Sequence, residues 1–322
     1  MRAIVRTTYC APEALRVREV DRPVIGAGEV LVRVRAASVN PYDLYSVIGS
    51  PYLMRTSIGL RRPKLAVPGV DLAGEVEAVG PDVTGFARGD AVFGMHAAAF
   101  AEFAAVPVER LVHKPPALSF VDAAATPLAA LTAFQGMRKG GLREGQRVLV
   151  NGASGGVGTF AVQLARAAGA TVTAVCSTRN VAAAHTLGAR HVIDYRTESL
   201  TGQRIRYDLV LDIAGTRTLA DWKAVAPEGT VVFIGGPKTS RWVGPFFAQA
   251  KVRVGAKLRG GPTFTGVLVS GGIRDDLSRI ADLLTDRAVV PMVERTYALE
   301  DAAEALRYIA DGHARAKVVL TV

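Results

Sequence analysis

Alternation of apolar and polar residues governs the opening third of the chain. In "GEVLVRVRAASVN", residues 28–40, Val30, Val32, Val34 and Ala36 share one face while Arg33 and Arg35 share the other, the period of a half-buried strand. The stretch "PGVDLAGEVEAVGPDVTGFARGDAVFG" reads as strand, turn, strand, with Gly80-Pro81-Asp82 and Arg88-Gly89-Asp90 as turns, and "AFAEFAAVP" adds a short strand. Short strands joined by such turns predict a compact, barrel-like β domain. Near Phe120 the pattern becomes helical in "SFVDAAATPLAALTAFQGM", with Ser119 as N-cap and Pro127 as a break.

From Gln146 onward, strands alternate with helices. Strands are predicted over 147–151, 171–176, 191–193, 209–213 and 230–234, and helices over 157–168, 180–187 and 218–226. Such alternation with short loops predicts a parallel sheet covered by helices on both faces. The remaining pattern predicts a helix near 275–285, a strand near 289–293, a helix over 299–310 and a strand over 317–322 that returns to the β domain. No internal repeat or low-complexity linker interrupts the chain.

Composition narrows the class. The 322 residues are 49% hydrophobic and 21% charged, an ordinary globular balance. The longest apolar stretch, Ala91 to Val108, contains Gly94, His96, Glu102 and Pro107 and makes a poor membrane span. Met1 to Val5 runs directly into a strand pattern without a secretory signal. Two cysteines, Cys10 and Cys176, cannot build a disulfide framework or a four-cysteine zinc lobe, so a cytoplasmic setting is expected. The net charge of +10 invites a nucleic-acid reading. The basic residues are dispersed, however, and the densest group, Arg61-Arg62-Pro63-Lys64, lacks interleaved aromatics. A basic surface serving a phosphorylated cofactor or an acidic substrate is the expectation, with neither nucleic acid nor membrane as partner.

Candidate chemistry starts at "VLVNGASGGVG", where an apolar strand feeds a glycine turn that opens an amphipathic helix. Free N–H groups and the positive end of the helix dipole there suit a diphosphate. Ala153, Ser154, Gly155, Gly156, Val157 and Gly158 form this candidate cradle; alanine replaces the first glycine of the usual fingerprint, but strand, turn, helix and second strand follow in the required order. The competing reading is a tight strand–helix turn without a nucleotide. The second strand ends in Cys176-Ser177-Thr178-Arg179 with no carboxylate. An acid there would take the ribose 2′-hydroxyl of NAD, whereas an arginine accommodates the 2′-phosphate of NADP. NADPH is therefore the expected cofactor, held by Ser177, Thr178 and Arg179. The alternative is that Ser177 caps the next helix and Arg179 is merely solvated.

The motifs "ASVNPYDLY", "VPGVDLAGEVEAVG", "GDAVFG", "AAATPLAALTAFQGM", "VLVNGASGGVG", "GARHVIDY" and "GHARAKVVLTV" together resemble the medium-chain dehydrogenase/reductase superfamily, in its zinc-independent quinone oxidoreductase branch with the bacterial NAD(P)-dependent alcohol dehydrogenase-type proteins. The resemblance spans essentially the whole chain. It implies an α/β fold: a GroES-like β-rich catalytic domain (1–120 and 258–322) with an inserted Rossmann NADP-binding domain (121–257). It places Thr132 near the nicotinamide, Tyr195 near the adenosine 2′-phosphate, and Gly215 and Gly235 along the dinucleotide. Asp194 stands where many relatives carry asparagine. Dimers that join Rossmann edge strands are common among relatives, so a homodimer is a candidate assembly; the oligomeric state stays open.

Zinc-dependent relatives place a cysteine where this chain has Asn40 and a His-Glu pair where it has Val70-Asp71. Valine cannot ligate, and His96, His113, His185, His191 and His313 show no paired ligand spacing, so no metal is expected. Without that Lewis acid, quinones, enones and enals are the easier hydride acceptors. The resemblance makes Asn40 an amide donor near the acceptor, although Asn40 and Asp43 would also close a turn. Tyr42, Tyr45 and Tyr52 surround that segment; Tyr42 and Tyr45 are candidate donors to an enolate oxygen, against a plain packing role. Gly49 to Pro68 is a long insertion that reads as a binding loop, a solvated loop or a dimer contact. The expected function is an NADPH-dependent, zinc-independent reductase of a quinone or α,β-unsaturated carbonyl. The alternatives are a nucleotide-binding interaction protein with vestigial activity and an enoyl-thioester reductase served by Arg61, Arg62 and Lys64.

Overall fold

The computed structural model describes residues 1–202, 204–236, 242, 255, 260–312 and 314–322. The chain divides into two units: Met1–Leu128 with Gly271–Arg287 and Pro291–Val322, and Ala129–Ser270 with Ala288–Val290.

The first unit opens with an antiparallel pair, β1 (Arg2–Val5) and β2 (Arg16–Glu19). The long strand β3 (Glu29–Val39) follows, then helices α1 (Pro41–Ile48) and α2 (Arg55–Ile58) within the 49–68 insertion, strands β4 (Asp71–Val79), β5 (Ala91–Met95), β6 (Phe103–Pro107) and β7 (Leu111–His113), and helix α3 (Phe120–Ala124). The alternation in β3 places Val30, Val32 and Val34 in the core. Arg33 and Arg35 face outward and pair with Glu77 and Glu75 of β4 at 2.9 and 2.6 Å. These exposed pairs fix register more than they stabilise. β4 runs antiparallel along one edge of β3, and β6 pairs with the Glu29–Arg33 end of the other. Ser119 caps α3 by accepting the Asp122 N–H at 3.0 Å.

In the second unit, α4 (Pro127–Gly140, from Ala129) precedes β8 (Arg147–Asn151), α5 (Gly156–Ala167), β9 (Thr171–Cys176), α6 (Val181–Thr186), β10 (His191–Asp194), β11 (Leu209–Asp212), α7 (Leu219–Val225), β12 (Thr230–Phe233) and β13 (Thr263–Gly266). The strands lie in the order β10-β9-β8-β11-β12-β13, all parallel. This is the doubly wound order whose direction reverses between β8 and β11, where such sheets bind ligands beyond the strand C-termini. Trp222, Leu149 and Phe233 anchor its core.

The chain then returns to the first unit through α8 (Ile273–Thr285), β14 (Val293–Ala298), α9 (Ala302–Ala310) and β15 (Lys317–Thr321). β15 pairs parallel with β14 and antiparallel with β3 at Ala36–Val39, beside the stretch taken by β6. Three expectations shift. The strand expected near 289–293 begins at Val293, because Pro291 lacks an N–H and Val290 is held by the Gln163 side chain, whose Nε2 donates to its carbonyl at 2.9 Å while Oε1 accepts its N–H at 2.8 Å. The division expected after residue 120 follows Leu128. The return expected at 258, which lies outside the described residues, comes after Ser270, because β13 extends the parallel sheet.

The glycine turn after β8 is steric in origin. Gly152 sits at φ +94°, and a Cβ on Gly158 would meet the Gly152 carbonyl oxygen at 2.2 Å and Ala153 backbone at 2.7 Å. A Cβ on Gly155 would meet nothing nearer than 3.8 Å. Gly158→Ala should therefore lower unfolding free energy by about 1–3 kcal/mol in urea titration, as overpacking does, whereas Gly155→Ala should unfold near wild type.

Candidate functional site

The turn that follows β8 is laid across the end of the neighbouring strand: Gly152 and Ala153 N–H donate to the Val175 carbonyl at 3.2 and 3.1 Å. Gly155 is the N-cap of α5 and supplies no side-chain oxygen, so the first-turn N–H groups are left to an external acceptor. Gly156, Val157 and Gly158 form that first turn, with Ala153 and Ser154 in the loop before it. At the reversal point, Asn151 Nδ2 donates to Asp212 Oδ1 at 2.8 Å, and the Gly215 N–H donates to the same oxygen at 2.9 Å. Gly215 has φ +64°, and a Cβ there would meet Gly236 Cα at 2.3 Å, so the loops after β11 and β12 touch through bare backbone. A Cβ on Gly235 would meet the Ile213 carbonyl oxygen at 2.1 Å. Thr132 lies half-buried on α4.

The ends of β9 and β10 are tied together. Tyr195, whose side chain is exposed, donates its N–H to the Cys176 carbonyl at 3.1 Å. Ser177 is buried, and its hydroxyl accepts from Asn180 Nδ2 at 3.1 Å rather than capping the turn that follows. Thr178 and Arg179 are exposed. The Asp194 carboxyl is held below its ordinary value chiefly by a hydrogen bond from the Thr178 side chain, then by the Arg196 N–H. The structure thus gathers Ser177, Thr178, Arg179 and Tyr195 at one sheet end, with a carboxylate already bonded to Thr178. An anionic cofactor group would meet both Arg179 and that carboxylate.

The first unit holds a cluster of polar and charged residues with almost no solvent contact. Asn40, Asp43, Asp71 and Lys317 are 4%, 0%, 0% and 3% exposed. Lys317 Nζ donates to Asn40 Oδ1 at 2.5 Å and lies 3.6 Å from Asp71 Oδ2. Asn40 Nδ2 donates to Asp71 Oδ2 at 3.0 Å and Asp43 Oδ2 at 3.2 Å. Asp71 also accepts from Ser38 Oγ at 2.8 Å and from the Leu128 N–H at 2.9 Å. Asp43 Oδ2 accepts the Asn40 N–H at 2.8 Å and so closes the first turn of α1. Both ends of the Asn40 amide are therefore committed within the protein. Lys317 and Asp71 escaped the sequence reading as a pair because they lie on strands far apart in the chain; the signal was a charged residue opening a strand ahead of buried apolar positions.

From α1, Tyr42 and Tyr45 project three residues apart and so share a face. Tyr42 is 41% exposed, and its hydroxyl has no hydrogen-bond partner among the described residues. Burial raises the pKa of both tyrosines; for Tyr42 the Asp43 charge adds to it and Arg6 opposes it.

Burial, and then the charge of Asp71, push the Asp43 carboxyl up to about 7, against hydrogen bonds from Asn40 and the charge of Lys317. Asp71 is raised by burial and pulled back first by Lys317, whose own pKa burial lowers. Folded Asp43 thus keeps a proton that the unfolded chain releases near 3.8. Between those values the unfolded state binds fewer protons, so stability contributed by neutral Asp43 is lost as pH rises through about 7. Urea unfolding at about pH 5 and about pH 8 should show a wild-type loss that Asp43→Asn reduces. Lys317→Met should cost about 3–5 kcal/mol by stranding Asp71, with part recovered by adding Asp71→Asn.

The zinc-binding dehydrogenase family model matches residues 187–320, and the alcohol dehydrogenase GroES-like domain model matches 26–116. The chain is 34% identical to "NAD(P)H oxidoreductase RTN4IP1, mitochondrial" of Homo sapiens, covering 100% of this chain and 89% of that protein. It is 32% identical to "2-methylene-furan-3-one reductase" of Solanum lycopersicum, covering 99% of this chain and 79% of that one. The solved structure of the quinone oxidoreductase from Coxiella burnetii superposes with a TM-score of 0.86 at 29% identity, covering 100% of this chain and 99% of that one. The zinc in the first family description does not fit the residues present. The cluster has no thiolate or imidazole, its amide oxygen accepts from an ammonium, and that ammonium supplies the positive charge beside Asp71. The fold is a GroES-like domain with a Rossmann-like parallel sheet, and the chain belongs to the medium-chain dehydrogenase/reductase superfamily of oxidoreductases, in its quinone oxidoreductase-like branch.

Proposed function

We propose that the protein is an NADPH-dependent, zinc-independent reductase of a quinone or an α,β-unsaturated carbonyl compound. The observation that carries the reading is the glycine turn after β8, where a Cβ on Gly155 would meet nothing nearer than the Gly152 carbonyl oxygen at 3.8 Å, directly before a helix without a side-chain cap. The cradle fits a diphosphate, held by the N–H groups of Gly156, Val157 and Gly158 beside Ala153, Ser154 and Gly155, whose own N–H donates to the Gly152 carbonyl. Gly215 and Gly235 line the dinucleotide with backbone, Thr132 attends the nicotinamide, and Ser177, Thr178, Arg179 and Tyr195 hold the adenosine end. Bound NADPH supplies the hydride, and each turnover also takes up one proton. Tyr42 donates a hydrogen bond to the acceptor's carbonyl oxygen, where charge develops. Tyr45 flanks it, and Asn40 acts by fixing the start of α1. The cytoplasm is our reading of the setting, from the two unpaired thiols. A second reading, an enoyl-thioester reductase, is favoured by the exposed Arg61, Arg62 and Lys64.

Fluorescence titration should show NADPH binding tighter than NADH. Arg179→Ala should weaken NADPH by about tenfold, the size of one charge-assisted hydrogen bond, and leave NADH nearly unchanged. Asp194→Asn should tighten NADPH by removing a like charge. NADPH oxidation with an enone or quinone panel completes the test; turnover with NADH alone, or no turnover at all, removes the reading.

A further inference from the structure

Arg6 follows directly on β1 and is 7% exposed. Its N–H donates to the Ala66 carbonyl at 2.9 Å, fastening it under the 49–68 segment. Its Nε and Nη1 are buried and have no hydrogen-bond partner among the described residues. A guanidinium stays protonated at working pH and cannot shed those donors, so burying them unmatched is unfavourable unless a ligand supplies acceptors. Asp43 Oδ1 is also without a partner, yet no ion pair joins it to Arg6 among the described residues. The charge of Arg6 is felt by Tyr42, the hydroxyl assigned above to the acceptor oxygen.

Asp43 is the acidic residue whose charge reaches Arg6, and the segment that covers Arg6 is basic. From Leu44 to Val70 the chain carries Arg55, Arg61, Arg62 and Lys64 and not one Asp or Glu. This segment is locked onto the one that bears Arg6. The Tyr9 hydroxyl donates to the Gly59 carbonyl, Arg55 lies 4.3 Å over the Tyr9 ring, and Arg55 Nε donates to the Gly49 carbonyl at 2.8 Å. A planar guanidinium fork matches a carboxylate in geometry and charge. We propose that Arg6 binds a carboxylate carried by the acceptor, so that the enzyme prefers acid-bearing enones to neutral ones. This deepens the reductase reading and rests on it.

The probes are trans-acetylacrylate and its methyl ester, which share one conjugated ketone and differ in charge. Wild type should favour the acid in kcat/KM by about tenfold or more, mainly through KM. Arg6→Gln should bring the acid-to-ester ratio to about one, and Arg6→Lys should retain part of it. Calorimetric titration of the full-length protein with levulinate and methyl levulinate reads the same preference without turnover. Equal constants for acid and ester in wild type, or an acid preference that survives Arg6→Gln, would overturn the proposal. Failure of both acceptors to be reduced would remove the reductase reading, while the levulinate titration would still decide the role of Arg6.

Discussion

An ammonium withdrawn from water is tolerable only where opposite charge and hydrogen-bond acceptors meet it, and the first unit is arranged around that demand. Lys317 comes from β15, Asn40 from the end of β3, Asp43 from α1 and Asp71 from the start of β4. Asn40, Asp71 and Lys317 each meet more than one neighbour, whereas the Asp43 side chain bonds Asn40 alone among the described residues. The Asn40 amide stands between the ammonium and both carboxylates, and Asp71 reaches the backbone at Leu128 as well. Strand register and the first turn of α1 are thereby linked through one set of polar bonds. Loosening any member leaves another charge unmatched in a medium that does not solvate it. The position of Tyr42, one residue inside α1, depends on this arrangement.

The second unit achieves its geometry by a different route, through side chains that are missing. Gly158 lets α5 press against the turn, and Gly215 lets two loops approach at backbone distance. Gly155 does neither: a Cβ there would meet only the Gly152 carbonyl oxygen at 3.8 Å. The same residue type is thus sterically required at one position and not at another, and only the neighbouring atoms distinguish them.

The β alternation, the parallel sheet and the glycine cradle were legible because each is written in local periodicity or spacing: Val30, Val32 and Val34 on one face, and strand, turn and helix in immediate succession. Less legible were features settled by distant partners. The strand expected near 289–293 moved because Gln163, on a helix far earlier, captures Val290. The role of Lys317 could not be read because Asn40 and Asp71 lie hundreds of residues away. Nothing in the local pattern marks Arg6, and its burial is what sets it apart. Asn40 was legible as a special position, but not the full commitment of its amide.

The shared edge of β3, taken at one end by β6 and at the other by β15, bears on how the chain is made. The whole second unit, Ala288–Val290 included, is translated before Lys317 exists. A growing polypeptide emerges in sequence order, so the parallel sheet can assemble on the ribosome while Asp43 and Asp71 still lack their counter-ion. Until β15 is threaded into place, that edge of β3 stays open and the two carboxylates keep to water.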